Sequence, residues 1–330
     1  MNGKRIEWVD NSKAIGALLV ICLHIPSIGL DKEIIGSFVL PMFFFLSGIT
    51  YTKKDEKFYQ FVIKKIKSLV IPSLLLCGVI GKIGQMVIAM ILGCGYEIRV
   101  KESIVGIVVQ MRGSYEFGAW FLICLFVAQL IMWGVTKCII KTKYHILIGA
   151  IIFYIVGSTY AMLIHKVLPW SFDVAILAVA YMLMGYYVKE ENLHEKIKGL
   201  KNVLFYLAIF VVGNISLLLL NQNVDLWLNN IGNPISLICT SVGGMGIVAN
   251  ISACIPQNRV MRFWGTHSLE IYCLQYLPIF LLDTIGIKGN VVSVFIIYIL
   301  VVTVLTCILV YIFDGISKII NKKLISLEVA

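Results

Sequence analysis

The chain alternates long apolar runs with short polar connections. Crossing a bilayer takes about 20 mostly apolar residues. Ten stretches meet or approach that length: 13–30, 34–51, 69–92, 117–135, 144–164, 172–188, 203–220, 231–253, 267–287 and 290–313, the second and sixth being short. The segment 103–111 (SIVGIVVQM) is too short to span and is expected to lie at the interface or to re-enter. The connections show no repeat, low-complexity linker or soluble appendage. The pattern predicts an all-α polytopic membrane protein of about ten transmembrane helices, one integral-membrane domain over residues 1–330.

Composition excludes the soluble alternative. The hydrophobic fraction is 59% and the charged fraction 14%, where soluble domains carry about 25% charged residues. In a soluble protein a net charge of +10 would suggest nucleic acid. Here the Lys and Arg sit in loops and report topology instead, so no nucleic-acid partner is expected and the lipid bilayer is. With a cytoplasmic N-terminus, 21 of the 28 Lys and Arg fall in cytoplasmic segments and six outside, and Lys82 lies within the third run. One missed or invented span would scramble that alternation, so both termini are expected in the cytoplasm. The first run is not read as a cleaved signal peptide: it lacks a small-residue cleavage site, contains His24, and runs straight into another span. The nine Cys are scattered singly, mostly in apolar runs, with no C-x-x-C pair. They read as small apolar fillers, and no metal is expected.

The first span holds the most informative polar residues. Lys13 and His24 are eleven positions apart, which on a helix is about three turns plus 20°, so they share a face about 16 Å apart. Asp10 falls near the same face. A histidine inside a span is a functional candidate, because burying an ionisable group is costly. Lys82 is expected to face a cavity or pair with a carboxylate. Asp173 and Glu270, near span ends, are adequately explained by solvation. Glu116, just before Trp120, reads as a wet loop residue or part of an external acceptor site, and Phe43, Phe44 and Phe45 as packing.

The opening KRIEWVDNSKAIGALLVICLH resembles the start of the membrane acyltransferase 3 family, in which Asp, a basic residue and, after ten more residues, His recur. Asp10, Lys13 and His24 occupy those positions. PMFFFLSGITY resembles the family's aromatic segment ending in Ser-Gly, here Ser47-Gly48. FVIKKIKSLVIPSLL resembles its R-x-x-R element running into Leu-x-x-Pro, with Lys64 and Lys67 at the basic positions and Pro72 following. AWFLICLF, SFDVAILAVAYMLMGYYV and GTHSLEIYCLQY resemble later segments in the right order. The closest flavour is the sugar O-acetyltransferases of the fucose 4-O-acetylase type.

The resemblance implies a ten-span enzyme of the cell membrane, in bacteria the cytoplasmic membrane. It would move an acyl group, acetyl by expectation, from acetyl-CoA on the cytoplasmic side to a hydroxyl of a carbohydrate or lipid-linked glycan. His24 would be the general base or acyl relay, with Lys13 and Asp10 in the same catalytic group, and Lys64 and Lys67 would hold the phosphates of acyl-CoA. The chain departs from the family in having Lys at 13, 64 and 67, which keeps charge but loses the planar bidentate fork of Arg, and Gln275 where many relatives have His. His267 is nearby but out of register. The competing class is a transporter or flippase for a polar or glycan substrate. Such a protein usually carries paired repeats with ligands in both halves, whereas here the polar signal concentrates in the first seventy residues.

The topology is directly testable. Reporter fusions after Leu30 and after Val329 are expected to read outside and inside respectively, and a fusion at Val329 that reads outside makes the span count wrong by an odd number.

Overall fold

The computed structural model describes residues 6–26, 30–95, 112, 119–164, 166–193 and 198–328. The expected interfacial segment 103–111 and Glu116 lie outside the described residues. Thirteen helices make up the fold among the described residues: α1 (Glu7–His24), α2 (Leu30–Gly36), α3 (Val39–Thr50), α4 (Phe58–Ile91), α5 (Ala119–Cys138), α6 (Lys143–Leu163), α7 (Phe172–Glu190), α8 (Leu200–Leu219), α9 (Pro234–Cys254), α10 (Arg259–Thr266), α11 (Ser268–Leu274), α12 (Tyr276–Ile285) and α13 (Val291–Glu328). Among the described residues nine helical stretches are long and apolar enough to cross a membrane, and they correspond to nine of the ten expected runs. The remaining run is α1, whose first two turns carry Glu7, Asp10 and Lys13.

A helix so charged at one end has to be shielded. α1 packs against α2, α3, α9, α10, α11 and α13 and buries Trp8 through Ser12 together with Ala14, Gly16, Ala17, Val20, Ile21 and Cys22. α7 is also interior, with 72% of its span buried, while 11% of the α8 span is buried. α8 packs one face on α9, where Gly213 meets Thr240 and Gly243 meets Phe210, and exposes apolar residues on the other, as a lipid-facing helix does.

Glycines allow the inner helices to touch backbone to backbone. A Cβ on Gly48 of α3 would overlap the Met182 carbonyl of α7, and a Cβ on Gly185 of α7 would overlap the Phe45 carbonyl of α3. Gly265 of α10 meets the Asp10 carbonyl of α1 in the same way. Small residues at such crossings compensate for the missing hydrophobic drive between helices in lipid.

Buried polar side chains then fix the remaining contacts. Asn11 donates to the carbonyls of Ser252 at 3.0 Å and Ile255 at 2.9 Å, satisfying orphan groups at the end of α9. Tyr181 donates to Ser241, which donates to the Ser37 carbonyl, joining α7, α9 and the α2–α3 turn. In α4, π-helical turns span Ile66–Val70 and Leu74–Ile80, on either side of Pro72. Proline has no N–H to offer and crowds the preceding turn, so the helix widens around it.

Two expectations about polar residues need correction. Asp173 is not a solvated span-end residue: it forms a buried ion pair with Arg112 and accepts the Leu168 N–H at 3.3 Å. The chain enters α7 through two consecutive left-handed residues, Trp170 (φ 60°) and Ser171 (φ 53°), a turn that L-residues adopt only under constraint. Glu270 is half-buried, with Oε2 shut off from solvent and unpartnered among the described residues. Solvation fails as an explanation because neighbouring elements cover these span ends. Of the nine Cys, Cys22, Cys77, Cys124 and Cys273 are buried, consistent with the filler reading.

Removing one partner of a buried ion pair leaves an uncompensated charge and costs about 3–5 kcal/mol. Arg112→Leu is therefore expected to lower thermal stability in detergent sharply. An Arg112→Leu, Asp173→Leu double variant should recover most of the loss. A single variant as stable as the parent would remove the pair from the set of structural contacts.

Candidate active site

His24 sits in the last turn of α1, and its two ring nitrogens have different partners. Nδ1 lies 2.8 Å from the Val20 carbonyl. A carbonyl only accepts, so Nδ1 carries a proton. Nε2 lies 2.8 Å from the Tyr276 hydroxyl, and the two rings meet edge to face with centroids 5.0 Å apart. In the neutral imidazole, Tyr276 donates and Nε2 offers its lone pair. The protein has thus set the tautomer that leaves Nε2 as the basic nitrogen. Tyr276 opens α12 directly after Gln275. The helix is broken there because Pro278, four residues after Leu274, cannot donate to its carbonyl.

His24 and Tyr276 line a cavity of about 550 Å³. Its walls include Gln85, Trp120, Trp227 and Tyr276, with Glu33 and Asp283 among its exposed lining. Asp225 enters from the loop between α8 and α9, where its carboxylate caps the backbone N–H groups of Trp227 and Leu228. Aromatic faces beside carboxylates and amides suit a polyhydroxylated ligand: the rings cover its C–H surface and the polar groups meet its hydroxyls.

A second cavity, about 270 Å³, lies nearer the start of α1 and is lined by Lys13, Ser47, Thr50, Gln129 and Thr266 among others. Val20, Leu40 and Tyr272 line both cavities, so a single layer of side chains separates them. The shared helical face expected for Lys13 and His24 is present: Lys13 faces one cavity, Val20 the partition, and His24 the other.

The remaining candidate residues are placed less directly. Asp10 is buried with its backbone against Gly265 and lines neither cavity. Lys64 and Lys67 are exposed on α4, outside both linings. Lys65 between them is half-buried, its ammonium 5.3 Å from the centre of the Phe61 ring, one turn before the cavity-lining Leu69. Lys82 is half-buried on the same helix. Gln275 is fully buried and donates to the Tyr272 carbonyl at 3.2 Å. His267 binds the Phe263 carbonyl at 2.9 Å and lies off both cavities. Phe43 and Phe44 pack on Phe121, as expected of core aromatics.

Sequence reasoning did not single out Tyr276, Trp227 or Gln129. For Tyr276 the signal was its i, i+4 spacing from Tyr272, which puts both on one helical face. For Trp227 the sequence offers only a polar loop between two spans, and nothing local marks Gln129.

A family model described as an acyltransferase domain, acyltransferase 3, matches residues 6–314. Comparison with curated proteins and with solved structures gave no match. The match spans nearly the whole chain, so the chain belongs to this family of membrane acyltransferases, and the transporter reading is set aside.

The tautomer has a spectroscopic signature. With nitrogen-15-labelled histidine, the resonance pair lost in His24→Ala should be a protonated Nδ1 and an unprotonated Nε2 at neutral pH. Tyr276→Phe should move the Nε2 resonance and leave Nδ1 in place. A protonated Nε2 with a bare Nδ1 would overturn the assignment.

Proposed function

We propose that this acyltransferase moves a short acyl group, acetyl in our reading, from cytoplasmic acyl-CoA to a hydroxyl of a carbohydrate or lipid-linked saccharide, with His24 as general base. The observation that carries the proposal is the proton-free Nε2 that the Val20 contact leaves on His24, a residue lining the larger cavity. Tyr276 Oη, 2.8 Å from Nε2, holds the lone pair of that nitrogen, and the acceptor hydroxyl oxygen displaces the phenol to bring its own proton within reach of Nε2. As that oxygen attacks the thioester carbonyl, Nε2 takes its proton. The carbon–sulfur bond breaks, and the imidazolium returns the proton to the departing thiolate.

The aromatic and carboxylate lining of the larger cavity supports a sugar acceptor. The excess of Lys and Arg in the segments flanking Lys13 supports a cytoplasmic donor, since positive loops face the cytoplasm. Donor phosphates then have α4 available, where Lys64 and Lys67 offer exposed point charges and Lys65 a third on the bundle side. Lys13, at the small cavity, stands between those phosphates and the partition in front of His24. We assign Asp10 a supporting part, through the α1–α10 contact that fixes the Lys13 end of the helix.

Two experiments test the reading. His24→Ala, inserted at normal levels, is expected to lose at least about 10²–10⁴-fold of glycan acylation, the usual contribution of a general base. His24→Gln should do no better, because an amide cannot take the proton. Substantial activity in either variant would remove His24 from the mechanism. In the donor experiment, Lys64→Ala with Lys67→Ala should raise the apparent KM for acetyl-CoA with little change in kcat, as contacts shared by ground and transition states do. An unchanged donor KM would leave these lysines with topology alone.

A further inference from the structure

We propose that the smaller cavity is the subsite for the amide-bearing pantetheine arm of the donor, and that Gln129, oriented by Ser47, accepts a hydrogen bond from one of the arm's amide N–H groups. The inference rests on the acyl-CoA reading above.

Gln129 projects from α5 into the lining of this cavity and is only 8% exposed. Its Nε2 donates to the Ser47 hydroxyl at 3.0 Å, which fixes the amide plane. Its Oε1 is buried and has no hydrogen-bond partner among the described residues. A buried amide oxygen left unpaired is costly, and structures keep such groups where a ligand or water completes them. The missing partner is a donor, and the arm of coenzyme A brings two amide N–H groups.

The rest of the lining fits the same ligand. Phe121, Leu122 and Leu125 form an apolar wall, and Thr50, Thr266 and Ser268 supply scattered hydroxyls. That mixture suits methylene segments alternating with amides. It suits a nucleotide poorly, because Lys13 is the one cation in the lining among the described residues and about 270 Å³ holds an arm rather than a whole coenzyme. The position agrees as well. The cavity begins at Lys13 and ends at the Val20, Leu40 and Tyr272 layer, directly behind which lies the His24 cavity. An arm lying there brings its thioester to the partition and leaves its phosphates at the Lys13 end. Ser47 belongs to the Ser-Gly pair whose Gly48 makes the α3–α7 crossing, so the same close approach that packs the bundle holds the Gln129 anchor in place.

The test is binding to the full-length purified chain in nanodiscs, with labelled acetyl-CoA displaced by pantetheine or by adenosine 3′,5′-bisphosphate. Gln129→Leu is expected to weaken acetyl-CoA and pantetheine by about tenfold, the worth of one hydrogen bond, and to leave the bisphosphate unchanged. Ser47→Ala, a milder change that retains the fold if Gln129→Leu does not, should give a smaller loss of the same pattern. The Lys64→Ala, Lys67→Ala variant should show the reverse, weakening the bisphosphate and sparing pantetheine. If wild type binds acetyl-CoA but neither Gln129→Leu nor Ser47→Ala alters pantetheine binding, the subsite is overturned and the donor reading stands. Equal weakening of pantetheine and bisphosphate also overturns it, as a general disturbance of the fold. If wild type binds no acetyl-CoA, the donor reading falls and this inference falls with it.

Discussion

The bilayer offers no water to a buried polar group, and α1 is the helix on which that constraint bears most. It carries Glu7, Asp10, Asn11, Lys13 and His24 within 18 residues, and an ionisable group costs free energy wherever lipid touches it. The bundle answers by surrounding α1 with six other helices among the described residues. Apolar helices such as α8, which packs on α9 by one face and exposes Leu204, Val211, Val212 and Leu219, form the outer layer. The arrangement that shelters the polar helix is also the one that creates cavities beside it, because the helices around α1 are spaced by side chains of unequal size.

Close contact and open space are complementary here. Where Gly48 meets Met182, Gly185 meets Phe45 and Gly265 meets Asp10, backbones touch. Where Val20, Leu40 and Tyr272 project between helices, space opens on both sides of them. The glycine contacts lock α3 to α7 and α10 to α1, the helices that carry Ser47 and Lys13 to one cavity and His24 to the other. Chemistry at two places along one helical face requires that rigidity, since a base must stay within hydrogen-bond reach of its proton source.

His24 shows how backbone geometry sets a chemical property. The Val20 carbonyl one turn earlier is already the helix's own acceptor, and the imidazole shares it through Nδ1. No side chain from a distant part of the chain is needed to choose the tautomer. The distant contribution is Tyr276, from a helix 252 positions away, which fixes where the other nitrogen points.

The sequence by itself determined the membrane class, nine of the spans and the common face of Lys13 and His24, because these rest on composition and on a helical period that holds over short range. The Asp10, Lys13 and His24 spacing also carried the resemblance from which the family follows. Other features were decided only by tertiary structure. Asp173 near a span end reads as solvated until Arg112, 61 residues earlier, is brought against it out of water. Gln129 reads as one more polar residue in an apolar run until Ser47, 82 residues earlier, ties one end of its amide and leaves the other buried with no partner among the described residues. Lys65 looks no different from Lys64 and Lys67 until α4 packs and turns it towards the bundle. Local sequence fixes which face of a helix a residue occupies, but what that face meets depends on contacts between segments far apart in the chain, and those contacts decide whether a polar group is solvated, paired or left waiting for a ligand.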